Sequence, residues 1–327
     1  MQNVINVKTL LEATDATDLS ARLQAIIDEH PNKTLFFPDG DYPISKPILT
    51  PADPKKSVSL KLSDFAVIHP TEHWTAKDAL IRLGGKDPAN NIETPGSNYG
   101  LEGGILECRG IANGISIDNG RETYVRNTSI KNAVIGLHIR YGTNNGSSDA
   151  DIFNVNITGN ESKESIGLLV NGSDNTFTNM RIGHVFVGVE VSSGGNIFRN
   201  VHPLYYVSSP TYPDYEECVG FRITSKSRHN WFDYCYSDHF ATGFQTLHGV
   251  GNFVNCFCFW YSEQEKKHIA FESKVPFSGR INGLEIGGKA HPESGLRFAN
   301  DLILTETAIV EGIYIKETLW KENKLDV

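Results

Sequence analysis

The sequence predicts an all-β chain wound into a parallel β-helix, and three observations point there. A glycine followed by apolar–any–apolar recurs from Gly114 onward: Gly114-Ile-Ser-Ile, Gly136-Leu-His-Ile, Gly167-Leu-Leu-Val, Gly188-Val-Glu-Val, Gly220-Phe-Arg-Ile and Gly243-Phe-Gln-Thr. Gly295-Leu-Arg-Phe follows after a degenerate copy near Ile269. Between these lie asparagine-led pieces, Asn127-Thr-Ser-Ile, Asn154-Val-Asn-Ile, Asn179-Met-Arg-Ile, Asn200-Val-His-Pro and Asn255-Cys-Phe-Cys, with Asp233 read in the asparagine's place in Asp233-Tyr-Cys-Tyr. The phrases repeat every 21 to 33 residues, the span of one supersecondary unit stacked on itself.

The unit is built of strands, because apolar positions alternate with a period of two and are rich in Val, Ile, Phe and Tyr. The asparagine breaks that alternation. Phe177 and Met180 flank Asn179 and both read as inward, as do Ile152 and Val155 around Asn154. Two inward positions three apart need a sharp bend, and asparagine tolerates the left-handed backbone such a bend demands. Three short strands per turn with one tight bend describe a parallel β-helix.

From the N-terminus, Asp18-Leu-Ser-Ala-Arg-Leu-Gln-Ala-Ile-Ile reads as an amphipathic helix capped by Asp18, with Leu19, Leu23, Ile26 and Ile27 on one face. Such a helix would cover the first open strand edge. Residues 1–45 are the expected cap and first rung, and 46–103 irregular early rungs broken by Pro47, Pro51, Pro54, Pro88 and Pro95, with one strand at Ser57–Leu62. Regular rungs run over 104–300, and 301–327 forms a C-terminal strand or cap. A continuous repeat implies one elongated domain over 1–327.

On these features the chain resembles the right-handed, single-stranded parallel β-helices of the pectin-lyase-like superfamily: pectate lyases, polygalacturonases, epimerases, fructotransferases and tailspikes. The entry phrase Leu35-Phe-Phe-Pro-Asp-Gly-Asp-Tyr42 is similar to that superfamily's F-P-x-G-x-Y first-rung motif. The resemblance covers residues from about 15 to about 300 and implies fold far more firmly than reaction. It implies saccharides bound along the outer face of the glycine-led strand, and a homotrimer as in several relatives.

Composition narrows the partners. Hydrophobic residues make up 39%, and the net charge of −9 is spread along the chain, which argues against nucleic acid. No apolar run approaches membrane-spanning length, and no secretory signal is legible at Met1. Localisation therefore stays open between cytoplasmic, virion-associated and secreted with a signal removed. The five cysteines lack metal-type spacing, and Cys256 and Cys258 read as core thiols. No cofactor is expected, although calcium would assist a lyase.

Two columns of outward residues follow from the register. The first is Ser116, His138, Leu169, Glu190, Arg222, Gln245 and Arg297; the second is Asp118, Arg140, Asn171, Ser192, Thr224 and Leu247. Adjacent strands lie roughly 4.8 Å apart, so Glu190, Arg222 and Gln245 form a contiguous polar line. Beside it, loops carry Tyr205, Tyr206, Tyr212, Tyr215, Glu216 and Glu217, then Ser237-Asp-His239, then Phe259-Trp-Tyr-Ser-Glu263 with Glu265. Flat aromatic faces suit sugar C–H faces. A surface ion pair and a self-packed aromatic lid are the plainer alternatives for the same residues.

Glycosidic hydrolysis needs an acid and a second carboxylate. The expected catalytic set is Glu190 kept ionised by Arg222, Asp238 as acid, and His239 beside it. Expected substrate contacts are His138, Arg140, Tyr205, Tyr206, Gln245, Trp260, Tyr261 and Glu263. Signatures of polygalacturonases and pectate lyases are incomplete: there is no adjacent aspartate pair, and Trp231-Phe-Asp233 and Asp238-His239 only echo a lyase phrase. The expectation is a poly- or oligosaccharide-cleaving glycosidase or glycosyl-transferring enzyme. A uronate lyase using Arg140, Arg222, Lys226, Arg228 or His229, or a non-catalytic glycan-binding β-helix, are the alternatives.

Overall fold

The computed structural model describes residues 4–11, 17–87, 99–141, 147–205, 215–261, 267–289 and 295–315. Every strand pairing is parallel, so the fold is the expected all-β parallel β-helix, with a single α-helix among the described residues. The chain divides into two compact units, Met1–Asn160 with Asn171–Thr176, and Glu161–Val170 with Phe177–Val327.

The first unit opens with the helix Ser20–Glu29, whose Leu23, Ile26 and Ile27, together with Leu19 just before it, are buried as the sequence predicts. The cap differs by one residue. Leu19 occupies the N-cap position and offers no side-chain bond, while Asp18 reaches past it to accept Ser20 N–H at 3.0 Å. Its carboxylate also accepts Ser45 N–H at 3.1 Å, tying the helix to the first rung. The strands Ile48–Pro51 and Ala79–Lys86 pair in one sheet with the glycine-led strands Asn113–Ile117 and Ile135–Ile139, and align Leu49, Arg82, Ser116 and His138 in one row. The other strands follow the same plan, with Val125 over Leu101 and Ile152.

In the second unit the glycine-led strands are Ile166–Val170, Val187–Val191, Val219–Ile223 and Thr242–Thr246, followed in the same sheet by Ile269–Ser273. Their glycines allow close approach to the neighbouring strands. A Cβ on Gly220 would lie 2.2 Å from Ser237 Oγ and 2.7 Å from the Gly243 carbonyl. Inside, Phe177, Phe198, Phe232 and Phe253 form a continuous stack with centroids 4.8, 4.8 and 5.0 Å apart. Such ring pairs add roughly 0.5–1.5 kcal/mol each beyond area burial.

The asparagine bends are as predicted: Asn127, Asn154, Asn179, Asn200 and Asn255 all have φ between 50° and 56°. Within the first unit Asn154 Nδ2 donates to Asn127 Oδ1 at 2.9 Å, and within the second Asn200 Nδ2 donates to Asn179 Oδ1 at 3.0 Å. These side-chain bonds join successive bends. One assignment moves: the bend after Trp231–Asp233 falls at Tyr234, φ 54°, not at Asp233. Arg199 pairs with Asp233, which places Tyr234 level with Asn200. All five cysteines are buried thiols, Cys256 and Cys258 among them. No described helix is long and apolar enough to cross a membrane.

Candidate functional site

The predicted polar line exists in the second unit. Leu169, Glu190, Arg222 and Gln245 are register partners on consecutive glycine-led strands, and Glu272 continues the row. The residues on either side of each position are buried, Val189 and Val191, Phe221 and Ile223, Phe244 and Thr246 among them, so strand alternation turns these side chains out. Arg222 Nη1 lies 3.4 Å from Glu190 Oε2, and both side chains are about a quarter exposed, at 26% and 23%. Gln245 Nε2 donates to Glu272 Oε2 at 2.6 Å, and Lys274 Nζ contacts the other oxygen at 2.7 Å. Burial pushes the Glu272 carboxyl up, but the bonds from Lys274 and Gln245 outweigh it and hold the group below its ordinary value.

Glu272 was not legible as part of the line because its strand begins with Ala270 in place of the glycine. Aligning Ala270 with Gly243 puts Glu272 level with Gln245, the one signal that finds it. Arg297, by contrast, is off the row: it pairs with Ile269, not with Glu272.

The first unit carries a second polar cluster on the outward face of its own glycine-led strands. Arg82 contacts both Asp78, at 3.0 Å, and Asp118. Arg140 contacts the same two carboxylates, Asp118 at 3.4 Å. Two aspartates are therefore gripped by the same two guanidinium groups, with Asp118 only 6% exposed. Ser116 Oγ donates to Asp118, and His138 Nε2 lies 2.6 Å from Asn171 Oδ1. Burial, seconded by the Arg140 charge, keeps the His138 imidazole below its ordinary pKa despite that bond. His138 and Arg140 thus lie on the predicted face. Asp78 and Arg82 were missed because Pro-rich residues 46–103 hid the register of Ala79–Lys86.

Other expected site residues fall elsewhere. Asp238 belongs to the strand Tyr236–Asp238, not to a loop, and pairs with Leu204 and Phe259 in a different sheet from Glu190. Its contacts are His202, at 3.6 Å, and Tyr236, so the proposed Glu190–Asp238 couple is not assembled. The segment read as a loop is a strand whose Ser237 points inward and whose Tyr236 and Asp238 point outward on that other sheet. His239 is fully buried with φ 62°, its ring stacked on Tyr261 at 4.0 Å and its carbonyl accepting from Tyr215 Oη at 3.2 Å. It shapes a turn and does not face a groove.

Tyr205 and Trp260 are core residues, at 0% and 1% exposure. Tyr205 packs edge-on against Tyr215 and Phe240, and Trp260 Nε1 donates to the Phe240 carbonyl at 2.8 Å. Both read as loop aromatics because a polar handle can sit inside when it finds a carbonyl or a ring. Tyr261 keeps 40% exposure and is the one of the described expected aromatics that faces out. Tyr206, Tyr212, Glu263 and Glu265 lie outside the described residues.

No protein-family model and no curated protein sequence matches the chain. Among solved structures, the tailspike protein of E. coli bacteriophage HK620, in complex with a pentasaccharide, superimposes with a TM-score of 0.62 at 11% identity, over 95% of this chain and 67% of that one. The fold shared is the parallel β-helix. A second β-helix of similar course is the Streptococcus pneumoniae surface adhesin PfbA, with a TM-score of 0.51 and 13% identity over 86% of this chain and 84% of that one. ORF18 of Geobacillus virus E2 aligns at 14% identity and TM-score 0.49, covering 95% of this chain. The chain spans 60% of the length of that phage protein. Identities this low carry the β-helix and not its reaction.

Proposed function

We propose that this β-helix is a carbohydrate-active protein that binds a saccharide along the outward face of the glycine-led strands of its second unit. The observation that carries the reading is the row Glu190, Arg222, Gln245 and Glu272, four polar side chains on four consecutive strands. Strands spaced roughly 4.8 Å apart repeat at about the scale of a sugar ring, so each ring would meet a fresh donor or acceptor. Carboxylate oxygens accept sugar hydroxyl protons, and the guanidinium and amide donate to ring and hydroxyl oxygens. The row is only partly exposed, which strengthens such bonds relative to open water. The pentasaccharide held by the HK620 tailspike, on the same fold, supports the same reading.

Cleavage of a glycosidic bond is the second reading, and one observation favours it. Asp78 and Asp118 of the first unit share the same two arginines, so two carboxylates are brought together on an outward face. A glycosidase needs carboxyl groups roughly 5–10 Å apart, one of them protonated. Both carboxylates are occupied by contacts to Arg82 and Arg140. Hydrolysis therefore requires a substrate that displaces an arginine. For the β-elimination alternative, neutral His138 beside Arg140 supplies a base and a cation.

The test is affinity electrophoresis of the purified chain against neutral and uronic polysaccharides, with reducing-end release and ultraviolet absorbance of unsaturated products followed in parallel. Retardation by at least one polysaccharide is expected. Reducing ends without absorbance add hydrolysis, and absorbance adds a lyase. No retardation by any polysaccharide sinks the reading.

A further inference from the structure

The last coil of the second unit leaves its interior open. Arg297–Ala299, Ile309–Glu311 and Tyr314–Ile315 each pair on one side only, and among the described residues no strand takes up their outer edges. Burial registers the gap. Ile281 and Ile286, one coil earlier, are fully buried at 0% exposure. Their register partners Val310 and Ile315 are only half-buried. Beside them Ile303, Ile309 and Tyr314 are exposed at 64%, 41% and 59%. The first unit closes its opening rung differently, with the helix Ser20–Glu29 packing Leu23, Ile26 and Ile27 out of solvent.

A bare strand edge above an apolar interior pairs with whatever segment reaches it. The nearest such segment is covalently attached. From Ile315 the sequence runs on through Lys316 to Val327, with Leu319, Trp320, Leu325 and Val327 among its twelve residues. Twelve residues reach up to about 40 Å when extended, enough to cross a coil whose last strands run two or three residues. The segment's three lysines balance its three acids, so charge does not keep it off an end that carries Glu306 and Glu311. Tethered to the strand it would cover, it acts at an effective concentration of roughly millimolar, which a second copy of the chain does not match.

We propose that residues 316–327 cover this open end, with Leu319 and Trp320 seated over the half-buried Val310 and Ile315, and so keep the bare edges from pairing with other chains. The proposal concerns the end of the solenoid and is independent of the saccharide reading.

Thiol labelling of the full chain tests it, because the five native cysteines are buried and stay silent in the folded protein. Leu319→Cys is expected to react with a water-soluble aromatic disulfide at least about tenfold more slowly than a free peptide of residues 316–327 carrying the same change. Equal rates overturn the proposal. Protection that appears only as the protein concentration rises assigns the end to a second copy and overturns it too. A chain stopped after Ile315 is expected to melt at least about 2 °C lower and to self-associate where the parent chain does not. An unchanged melting temperature with an unchanged size in solution contradicts the proposal. If the shortened chain fails to fold, the labelling rates of the full chain decide alone.

Discussion

Arg222 faces Glu190 across one strand step of the second unit, register partners with Nη1 3.4 Å from Oε2. That separation exceeds the usual 2.7–3.2 Å of an N–H···O bond, so the pair is loosely joined and open to a third group. A partly exposed ion pair contributes only about 0–1 kcal/mol to stability, which frees both residues for binding. Glu190→Gln is therefore expected to lower saccharide affinity about tenfold or more, as loss of a charged acceptor does, with a stability change under about 1 kcal/mol. Calorimetric titration beside thermal unfolding checks both halves. Unchanged affinity removes Glu190 from the site.

Trp260 is expected to behave in the opposite way. Its side chain is buried, and its indole N–H is spent on the Phe240 carbonyl. Trp260→Ala should cost about 3–5 kcal/mol of stability through the cavity it leaves. Urea denaturation measures this directly, and a loss below about 1 kcal/mol would contradict the core assignment.

Tyr234 occupies a bend that its neighbours fill with asparagine. It holds φ 54° with 68% of its surface exposed, a left-handed conformation that a bulky side chain adopts at a cost of about 1–2 kcal/mol. Tyr234→Asn should raise stability by about 0.5–1 kcal/mol, by relieving that strain and extending the asparagine contacts seen between Asn200 and Asn179. A fall in melting temperature would show that Tyr234 is held by something besides the bend.

Asp18 makes the helix docking pH-sensitive. Burial raises its carboxyl, but hydrogen bonds from Ser20 and Ser45 outweigh it and bring the group from 3.8 to about 2. A folded value below the unfolded one means that the contribution is present above about pH 4 and disappears as pH falls towards 2. Asp18→Asn should cost about 1 kcal/mol at neutral pH, the order of a hydrogen bond in an exposed setting, with the gap to the parent chain closing below about pH 3. Melting curves from pH 2 to 7 follow it; a gap independent of pH would rule the carboxylate out as the source.

The scaffold was legible because its rules are local and repeated. A glycine is required wherever a Cβ would strike the next strand's carbonyl, as at Gly220, and an asparagine wherever the chain turns through positive φ, as at Asn179. The row Glu190, Arg222, Gln245 followed by counting two residues from each glycine. Where a rung lacks its marker, the count fails. Ala270 hid Glu272, and with Tyr234 in the bend the strand Tyr236–Asp238 read as a loop. Burial of Tyr205 and Trp260 was not legible either, since amphipathic rings on loop-like segments read alike whether they cover the core or face solvent.

One experiment bears on the whole account: crystals of the chain soaked with an oligosaccharide that it retains. Sugar rings contacting Arg222 and Gln245, one ring per strand step, are the predicted outcome. Rings seated instead over Tyr236, Asp238 and Phe257 on the other sheet would contradict it.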